Sequence, residues 1–304
     1  NYFMFNNNII KIWTRGIPLA LWQASEIKKI LKKLKIIKIK TTGDQITNQP
    51  LSSIGGKGLF TKEIDKELIN RNIDIGVHSL KDVPTIIPAE FNLSCILPRG
   101  EAEDILISKN NVKDINSLPF KCTIGTSSPR RHAQIKRIRP DIKIFPIRGN
   151  INTRLDKVKN NEITATILAL AGVNRLKIKI PYTILDYKEC MPAASQGIIG
   201  ITYLKNNSKI KEIINKFINI KTQYQAIGER SVLSVINGDC HSPVAVTSNI
   251  SKNKITISAR IFSLDGNKMI EESKTSIIQD AENLGKDIGK SLIKMGALKI
   301  LKLW

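Results

Sequence analysis

The chain contains few of the residues that build disulfide frameworks, metal sites or base-stacking surfaces. Its four cysteines, Cys95, Cys122, Cys190 and Cys240, are far apart, and no Cys-x-x-Cys pair occurs in 304 residues. Neither a disulfide framework nor a zinc site is therefore indicated. Three histidines offer little for metal binding, so we predict no metal site. Aromatic residues make up 5% of the sequence, which leaves little material for stacking nucleic-acid bases.

Long apolar runs are also missing. No run reaches the length of a membrane-spanning helix, so we expect no membrane partner. Residues 1–11 lack both the apolar core of a signal peptide and the Arg- and Ser-rich character of a transit peptide. We therefore expect a cytoplasmic protein.

Acidic residues are scarce relative to basic ones. Lys and Arg number 48 against 26 Asp and Glu, which gives a formal net charge of +22 at pH 7. Nucleic-acid binding is one interpretation of such a charge. The lysines are spread along the chain, however. Their densest run, 28–40, accompanies apolar residues at helical spacing (Ile27, Ile30, Leu31, Leu34), which is typical of a solvated helix face. We expect no nucleic-acid partner and keep it as an alternative.

A short segment, Gly125–Arg131, places two arginines at the predicted start of a helix. Ser128 is a good N-cap and Pro129 suits the first helical position, so Arg130 and Arg131 would lie in the first turn. That turn already carries free N–H groups and a partial positive charge. Two arginines there worsen the electrostatics of the helix, which indicates a site built for an anion. Two solvated surface arginines are the alternative.

Arginines also follow two further predicted strands. Arg148 precedes a helix that Asn150 can cap, and Arg154 lies about one turn into that helix. Arg175 closes the segment that follows the apolar run 165–171. Ligands of open α/β sheets bind outside the carboxyl ends of the strands. Three arginine-bearing strand ends therefore predict one ligand with several negative groups.

Strand and helix signals alternate over the first two-thirds of the chain. This alternation predicts parallel sheets with helices on both faces. The predicted strands are 9–13, 36–41, 73–77, 122–125, 143–147 and 163–170, and the predicted helices include 18–34 and 59–70. After about Lys221, a helix over 222–235 and strands over 244–247, 255–262 and 268–277 predict a small α+β domain. Its closing helix begins at Asp280, with Ala281, Leu284, Ile288, Leu292 and Met295 on one face.

The loop His78–Pro84 places a cation beside a carboxylate at another predicted strand end. We predict that Asp82 is the one acid facing a mainly basic cleft, where the surrounding cations favour its ionised form. Such a carboxylate suits the stabilisation of a developing positive charge. An ordinary polar loop is the alternative.

Two loops have compositions that suggest exposure or movement. Cys240 lies between Gly238 and Pro243, which favours an accessible thiol, although an idle thiol is equally compatible. The glycines around Lys57 lack the Walker A spacing and indicate a mobile backbone, such as a lid over a site.

Together these segments resemble the hydroxymethylbilane synthase (porphobilinogen deaminase) family. The resemblance covers nearly the whole chain and follows the family's order. Its pieces are Thr14-Arg15, Leu19–Gln23, Gly43-Asp44, Gly55–Phe60, His78–Pro84, Gly125–Ser128 with Arg130-Arg131, Arg148–Asn150, Ala193–Gly197 and Gly238–Cys240.

The resemblance implies a monomeric transferase of haem biosynthesis. It would polymerise four porphobilinogen molecules head-to-tail, with loss of ammonia, onto a dipyrromethane cofactor and release hydroxymethylbilane by hydrolysis. It also implies an α/β fold of two periplasmic-binding-protein-like (type II) lobes with a smaller C-terminal α+β domain. We expect domain 1 at 1–98 and 197–219, domain 2 at 99–196, and domain 3 at 220–304.

Site residues follow from the same resemblance. It implies a thioether bond between the cofactor and Cys240, and Asp82 as the catalytic carboxylate facing the pyrrole N–H groups. Further cofactor-binding positions are Ser79, Lys81, Thr126, Ser128, Arg130, Arg131 and Arg148. Substrate-binding positions are Arg15, Lys57, Arg154, Arg175 and Gln196. Four positions depart from the family's usual residues: Ile17 (commonly Ser), Glu103 (often basic), Pro129 (commonly Leu) and Ser195 (usually Gly).

The chemistry of this ligand agrees with the arginine content. Each pyrrole ring bears two carboxylates, so six rings carry about twelve negative charges, which arginines can hold bidentately without losing their own charge. A non-catalytic anion-binding protein with the same two lobes is the rival hypothesis. It would explain the arginines but would give no task to Cys240 or Asp82.

Overall fold

The computed structural model describes residues 9–32, 34–39, 61–239 and 241–302. Two predicted site residues, Lys57 and Cys240, lie outside these described residues, as does the glycine-rich segment around Lys57. The strands and helices form three units, each built around its own sheet.

The first unit is a five-stranded sheet with helices on both faces. Its strands are β1 (Ile10–Arg15), β2 (Leu34–Ile39), β3 (Ile75–Ser79), β4 (Phe91–Ser94) and β10 (Ile199–Leu204), and its helices are α1 (Pro18–Leu31), α2 (Lys62–Ile69) and α6 (Ser208–Asn215). The strand order is β2-β1-β3-β10-β4. Side chains of β1 alternate between faces. Ile12 packs with α1 and α6, whereas Trp13 packs with α2.

The second unit repeats this layout. Its strands are β5 (Asp104–Ser108), β6 (Thr123–Gly125), β7 (Lys143–Phe145), β8 (Ala165–Ala169) and β9 (Thr183–Ile184), in the order β7-β6-β8-β5-β9. Its helices are α3 (Pro129–Ile138), α4 (Ile151–Lys159) and α5 (Leu170–Arg175). One face of the sheet packs on Ile135 of α3, and the other packs on side chains of α4 and α5.

The third unit is a three-stranded antiparallel sheet covered by helices. Strands β11 (Val244–Ser251), β12 (Lys254–Phe262) and β13 (Met269–Ile277) pair in sequence order. Helices α7 (Ile220–Ile236), α8 (Ala281–Lys294) and α9 (Ala297–Leu301) share an apolar core with these strands. The expected class, two α/β lobes followed by a smaller α+β unit, is confirmed.

The expectation of parallel sheets holds for only part of each sheet: β1 runs parallel to β2 and β3, and β6 runs parallel to β7 and β8. β10 runs antiparallel to both β3 and β4, and β5 runs antiparallel to β8 and β9. Strands buried on both faces read as continuous apolar runs, which carry no information about direction. β10 enters the first sheet after the chain has crossed to the second unit and back. This return of the chain agrees with a discontinuous first domain, 1–98 with 197–219. The exact domain bounds stay a prediction.

Two element ends also differ from the sequence expectation. α1 ends at Leu31 because Lys32 adopts φ 49°, and Leu34 belongs to β2 although it continues the helical spacing. Met295 follows the last residue of α8 and is 48% exposed, so it does not extend the apolar face of that helix. In the part of the chain that the structure describes, no helix combines the length and apolar character needed to cross a membrane.

Candidate active site

A cavity of about 960 Å³ lies where the two lobes and the third unit meet. It is bordered by the ends of β1 and β3, by the starts of α3 and α4, and by the loop that precedes β11. Eleven predicted site residues line it: Arg15, Ser79, Lys81, Asp82, Thr126, Ser128, Arg130, Arg131, Arg148, Arg154 and Gln196. Segments that are distant in sequence therefore form one cavity, and two of the three predicted arginine-bearing segments border it.

Asp82 lies in a single 3-10 turn, Leu80–Asp82, that follows β3. Leu80 is fully buried, its N–H donates to the Ile198 carbonyl (3.0 Å), and the Val83 N–H closes the turn on the Leu80 carbonyl (3.2 Å). This anchoring leaves Asp82 half-buried at the cavity wall. A carboxylate on a fixed turn suits the electrostatic role that the sequence predicted for it.

Lys81, on the same turn, extends towards Gln196, which lies where the chain returns from the second unit to the first. Its Nζ donates to Gln196 Oε1 at 3.4 Å. Burial lowers the pKa of Lys81 to about 8, although the neighbouring Asp82 carboxylate opposes that shift. Lys81 is therefore a cation that could give up its proton close to neutral pH.

His78, on β3, is buried beside the cavity and is not a cationic ligand group. Burial and then the nearby Arg15 charge lower its pKa to about 4, so the ring is neutral at pH 7. Its Nε2 forms a hydrogen bond with Thr202 Oγ1 at 2.9 Å. His78 therefore joins β3 to β10 within the first sheet.

The predicted helix start at Ser128 is confirmed. The Ser128 hydroxyl accepts from the Arg131 N–H (3.4 Å), and Pro129 occupies the first helical position of α3. The side chains of Arg130 and Arg131 are only 5% and 8% exposed. They turn inward to form ion pairs with one carboxylate, Asp104, at 2.8 and 2.7 Å.

Asp104, the first residue of β5, is the acid that the sequence reading missed. Its carboxylate also accepts from Arg131 Nε (3.2 Å) and Gln196 Nε2 (2.9 Å). Burial opposes ionisation, but the two guanidinium groups hold the pKa of Asp104 far below its usual range. A buried charge is tolerated only when it is paired and hydrogen-bonded, and here two cations share one anion. The pair of arginines therefore keeps one net positive charge.

The prediction that Asp82 is the one acid facing the cleft is wrong. Asp239, on the loop that follows α7, also lines the cavity, and Asp104 lies directly behind its basic wall. The only sequence signal for Asp104 was a carboxylate at the start of a continuous apolar run, Asp104–Ser108. The fold supplies its partners from 26 and 27 residues away, and local pattern does not reveal such contacts.

The second arginine-bearing segment confirms the predicted cap. Asn150 accepts from the Thr153 N–H (3.0 Å) and starts α4, which places Arg154 one turn into the helix. Arg154 Nε donates to the Gly149 carbonyl at 3.2 Å. Burial, followed by the neighbouring charge of Arg131, lowers the pKa of Arg154 to about 10. An anionic ligand beside this buried guanidinium would favour its charged form.

The third arginine, Arg175, does not line the cavity. It is the last residue of α5 and not the end of a strand, so the prediction of a third arginine at a strand end is wrong. Its Nη2 donates to the Gly197 carbonyl at 2.5 Å, and its guanidinium lies 5.5 Å from the centre of the Trp22 ring. Arg175 therefore connects the second lobe to α1 of the first lobe and to the crossing at Gly197.

The residues on either side of Cys240 border the cavity. Asp239 Oδ1 accepts from the His241 N–H (2.9 Å) and from the Ser242 hydroxyl (3.1 Å), and all three residues line the cavity. Two residues before the cysteine, the Gly238 carbonyl accepts from Thr85 Oγ1 at 2.8 Å. The segment that carries Cys240 is thus held next to the residues that follow Asp82.

The charge of the described cavity wall is strongly positive. Six of its side chains are Arg or Lys, and two, Asp82 and Asp239, are carboxylates. Guanidinium groups bind carboxylates bidentately and keep their charge when desolvated. The residues present therefore fit a ligand with several carboxylates that is tethered at the neighbouring loop, as a dipyrromethane bound to Cys240 would be.

Comparisons with known proteins agree with this geometry. A family model described as "Porphobilinogen deaminase, dipyromethane cofactor binding domain" matches residues 10–212. A second, "Porphobilinogen deaminase, C-terminal domain", matches residues 223–294. The chain belongs to the porphobilinogen deaminase family. The resemblance drawn from the motifs is confirmed, and the cofactor of the matched domain is the predicted dipyrromethane.

Curated relatives match over nearly the whole chain. The porphobilinogen deaminase of Vesicomyosocius okutanii subsp. Calyptogena okutanii is 41% identical over 308 residues, which cover 97% of this chain and 99% of that protein. That of Maridesulfovibrio salexigens is 37% identical over 299 residues, which cover 96% of this chain and 97% of that protein.

Solved structures show a more distant likeness. The VFT2 domain of Bordetella pertussis BvgS has a TM-score of 0.43 at 16% identity, over 73% of this chain and 91% of that domain. An ancestral arginine-binding protein bound to arginine has a TM-score of 0.37 at 17% identity, over 68% of this chain and 89% of that protein.

The four departures from the family pattern have different structural settings. Ile17 is the N-cap of α1 and makes no side-chain cap bond, so the hydrogen bond that a serine could offer is absent there. Pro129 fits the first position of α3 without disturbing the cap. Ser195 adopts φ 63°, in the left-handed region that favours glycine. Glu103 is half-buried beside Asp104 and does not line the cavity.

Proposed function

We propose that this chain polymerises four porphobilinogen molecules head-to-tail on a dipyrromethane bound through a thioether to Cys240. Each addition releases ammonia, and hydrolysis releases hydroxymethylbilane for haem biosynthesis. A single observation carries the proposal. One cavity brings Asp82 together with six basic side chains, beside the loop that holds Cys240.

The basic wall binds and orients the ligand. Arg15, Arg148 and Arg154 are half-buried and can reach carboxylates of a ligand in the cavity. The acetate and propionate groups of porphobilinogen would pair with these side chains. Arg130 and Arg131 contribute mainly through the net positive charge that they keep after pairing with Asp104. Thr126, Ser128 and Gln196 add neutral donors and acceptors to the same wall.

When bound, the dipyrromethane supplies the free pyrrole carbon to which each new unit adds. The Asp82 carboxylate stabilises the positive charge that develops on the substrate pyrrole as ammonia leaves. Lys81 lies next to Asp82 and has a pKa of about 8, so it can hold or release a proton beside the departing amine. We assign Lys57 and Arg175 to substrate binding on the resemblance alone.

The remaining predictions belong to this proposal. We propose a monomer in the cytoplasm, with porphobilinogen as its small-molecule partner and no nucleic-acid partner. The proposed domains are 1–98 with 197–219, 99–196, and 220–304. The basic side chains that line the cavity give part of the +22 charge a use in binding a small polyanion.

Turnover of porphobilinogen tests the function directly. We expect the purified chain, carrying its cofactor, to consume porphobilinogen and to release about one ammonia per unit added, because each new bond expels one amine. We expect Asp82→Asn to keep the cofactor and to lose at least about 100-fold in kcat, since it removes the charge that stabilises the transition state. Asp287→Asn, an exposed carboxylate of the third unit, is the matched control.

Three outcomes would count against the proposal. Binding of porphobilinogen without ammonia release would favour the non-catalytic anion-binding protein. Affinity for duplex DNA that falls steeply with salt would favour the nucleic-acid binder. Near-normal kcat in Asp82→Asn would remove that residue from the mechanism.

A further inference from the structure

Arg230, on α7, is a half-buried arginine whose hydrogen bonds to described residues all go to backbone carbonyls. Its guanidinium donates to the carbonyls of Val83 (3.3 Å), Pro84 (2.6 Å) and Thr85 (2.9 Å). No ion pair between described residues includes Arg230. Burial lowers the pKa of Arg230 to about 10. Burying an arginine without a carboxylate partner costs stability. The three hydrogen bonds to carbonyls offset part of that desolvation cost.

Those three carbonyls belong to the residues directly after Asp82. Leu80 and Val83 pack in an apolar cluster with Ala226, which lies one helical turn before Arg230 on α7. The other side of the turn is fixed by the hydrogen bond from Leu80 to Ile198. α7 therefore holds the Asp82 turn by an apolar contact and by a guanidinium fork.

The same helix leads into the segment that carries Cys240. α7 ends at Ile236, Asn237 adopts φ 53°, and the Gly238 N–H donates to the Leu233 carbonyl at 2.9 Å. The Thr85 hydroxyl then donates to the Gly238 carbonyl at 2.8 Å. Residues 83–85 are thus hydrogen-bonded to Arg230 of α7. They are also hydrogen-bonded to Gly238, two residues before Cys240.

We propose that Arg230, together with Thr85, is a positioning residue that fixes the Asp82 turn relative to the segment carrying Cys240. The inference rests on the proposed function, in which Asp82 acts on a ligand tethered at Cys240. Loss of the fork would let the turn shift while the basic wall stays in place. A displacement of about 1 Å can cost on the order of 100-fold in rate, so kcat should fall more than KM rises.

The experiment compares four variants of the cofactor-bearing enzyme. Arg230→Met keeps the stem and removes the fork, Arg230→Lys keeps a single charged donor, and Thr85→Val removes the hydroxyl with little change in shape. Arg137→Met is the matched control. Arg137 also donates from a helix to a carbonyl of another unit (Gly266, 3.2 Å), but neither residue lines the cavity.

We expect Arg230→Met to lower kcat at least about tenfold, with KM within about threefold of the wild type, and to keep the cofactor adduct. Arg230→Lys should recover part of the loss, and Thr85→Val should lower kcat to a smaller extent. Amide hydrogen exchange should become faster in the peptide 80–87 of Arg230→Met and Thr85→Val. Arg137→Met should change neither measurement.

The exchange measurement separates this inference from the proposed function. If the wild type turns over no porphobilinogen but Arg230→Met still loosens residues 80–87, the proposed function fails and the structural tether stands. If Arg230→Met keeps kcat within about twofold of the wild type, or loses kcat without faster exchange at 80–87, the positioning role is overturned. Should Arg230→Met fail to fold, Thr85→Val decides between the same outcomes.

Discussion

Replacement of Ser195 by glycine should stabilise the protein. Ser195 lies at the crossing between the lobes, is 1% exposed, and adopts φ 63°. Its N–H donates to Glu229 Oε2 at 2.6 Å, which holds the backbone in this conformation. Its buried hydroxyl has no partner among the described residues. The side chain therefore carries both backbone strain and an unsatisfied polar group.

Three contributions set the expected change in the free energy of unfolding. A left-handed conformation costs an L-residue about 1–2 kcal/mol, which glycine avoids. A buried hydroxyl without a partner costs about 1–3 kcal/mol. Glycine loses about 0.5–1 kcal/mol through its greater freedom in the unfolded chain. We therefore expect Ser195→Gly to raise the free energy of unfolding by about 2 kcal/mol, which is about 3 °C in melting temperature for a chain of this length.

Ser195→Ala separates the two causes. It removes the hydroxyl but keeps a Cβ in the left-handed conformation, so it should gain less than Ser195→Gly by about 0.5–1 kcal/mol. Calorimetry at one pH ranks the wild type and both variants by melting temperature. A Ser195→Gly variant that melts at or below the wild type, or below Ser195→Ala, would refute the reasoning.

Three further predictions concern buried groups near the cavity. Asp104→Asn leaves two buried guanidinium groups without their anion and should cost about 3–5 kcal/mol in urea unfolding; a loss below about 1 kcal/mol would contradict the pairing. The pKa of His78 is lower in the folded state than in the unfolded chain. Stability should therefore fall by about 3 kcal/mol as the pH drops from about 6.5 to 4, and His78→Gln should flatten that dependence. Gly197→Ala should cost at least about 2 kcal/mol, because φ is 85° and a Cβ would overlap the Gly100 carbonyl oxygen; Gly172→Ala, whose nearest neighbour is a flexible side chain, should stay within about 1 kcal/mol of the wild type.

Features that depend on neighbouring residues could be predicted from the sequence. Ser128 and Asn150 were identified as helix caps because each needs only a donor three residues ahead. The alternation of strands and helices was likewise enough to indicate α/β structure over the first two-thirds of the chain and a smaller α+β unit after it, whereas the division into two lobes came from the resemblance. The resemblance added the family and its cofactor, which composition could not have supplied.

Features that depend on distant contacts could not be predicted in this way. The inward turn of Arg130 and Arg131 depends on Asp104, and the helical turn at 170–175 carries Arg175 away from the cavity. The direction of β10 follows from a crossing between the lobes, and its apolar sequence is compatible with either direction. The carbonyl contacts of Arg230 likewise join residues about 145 positions apart.

Intact mass spectrometry of the reconstituted protein tests the central claim most directly. The account predicts a protein heavier than its sequence by one two-pyrrole adduct. It predicts that Cys240→Ala loses the adduct and that Cys122→Ala, a buried cysteine away from the cavity, keeps it. An unmodified mass after reconstitution, or an adduct that persists in Cys240→Ala, would contradict the account.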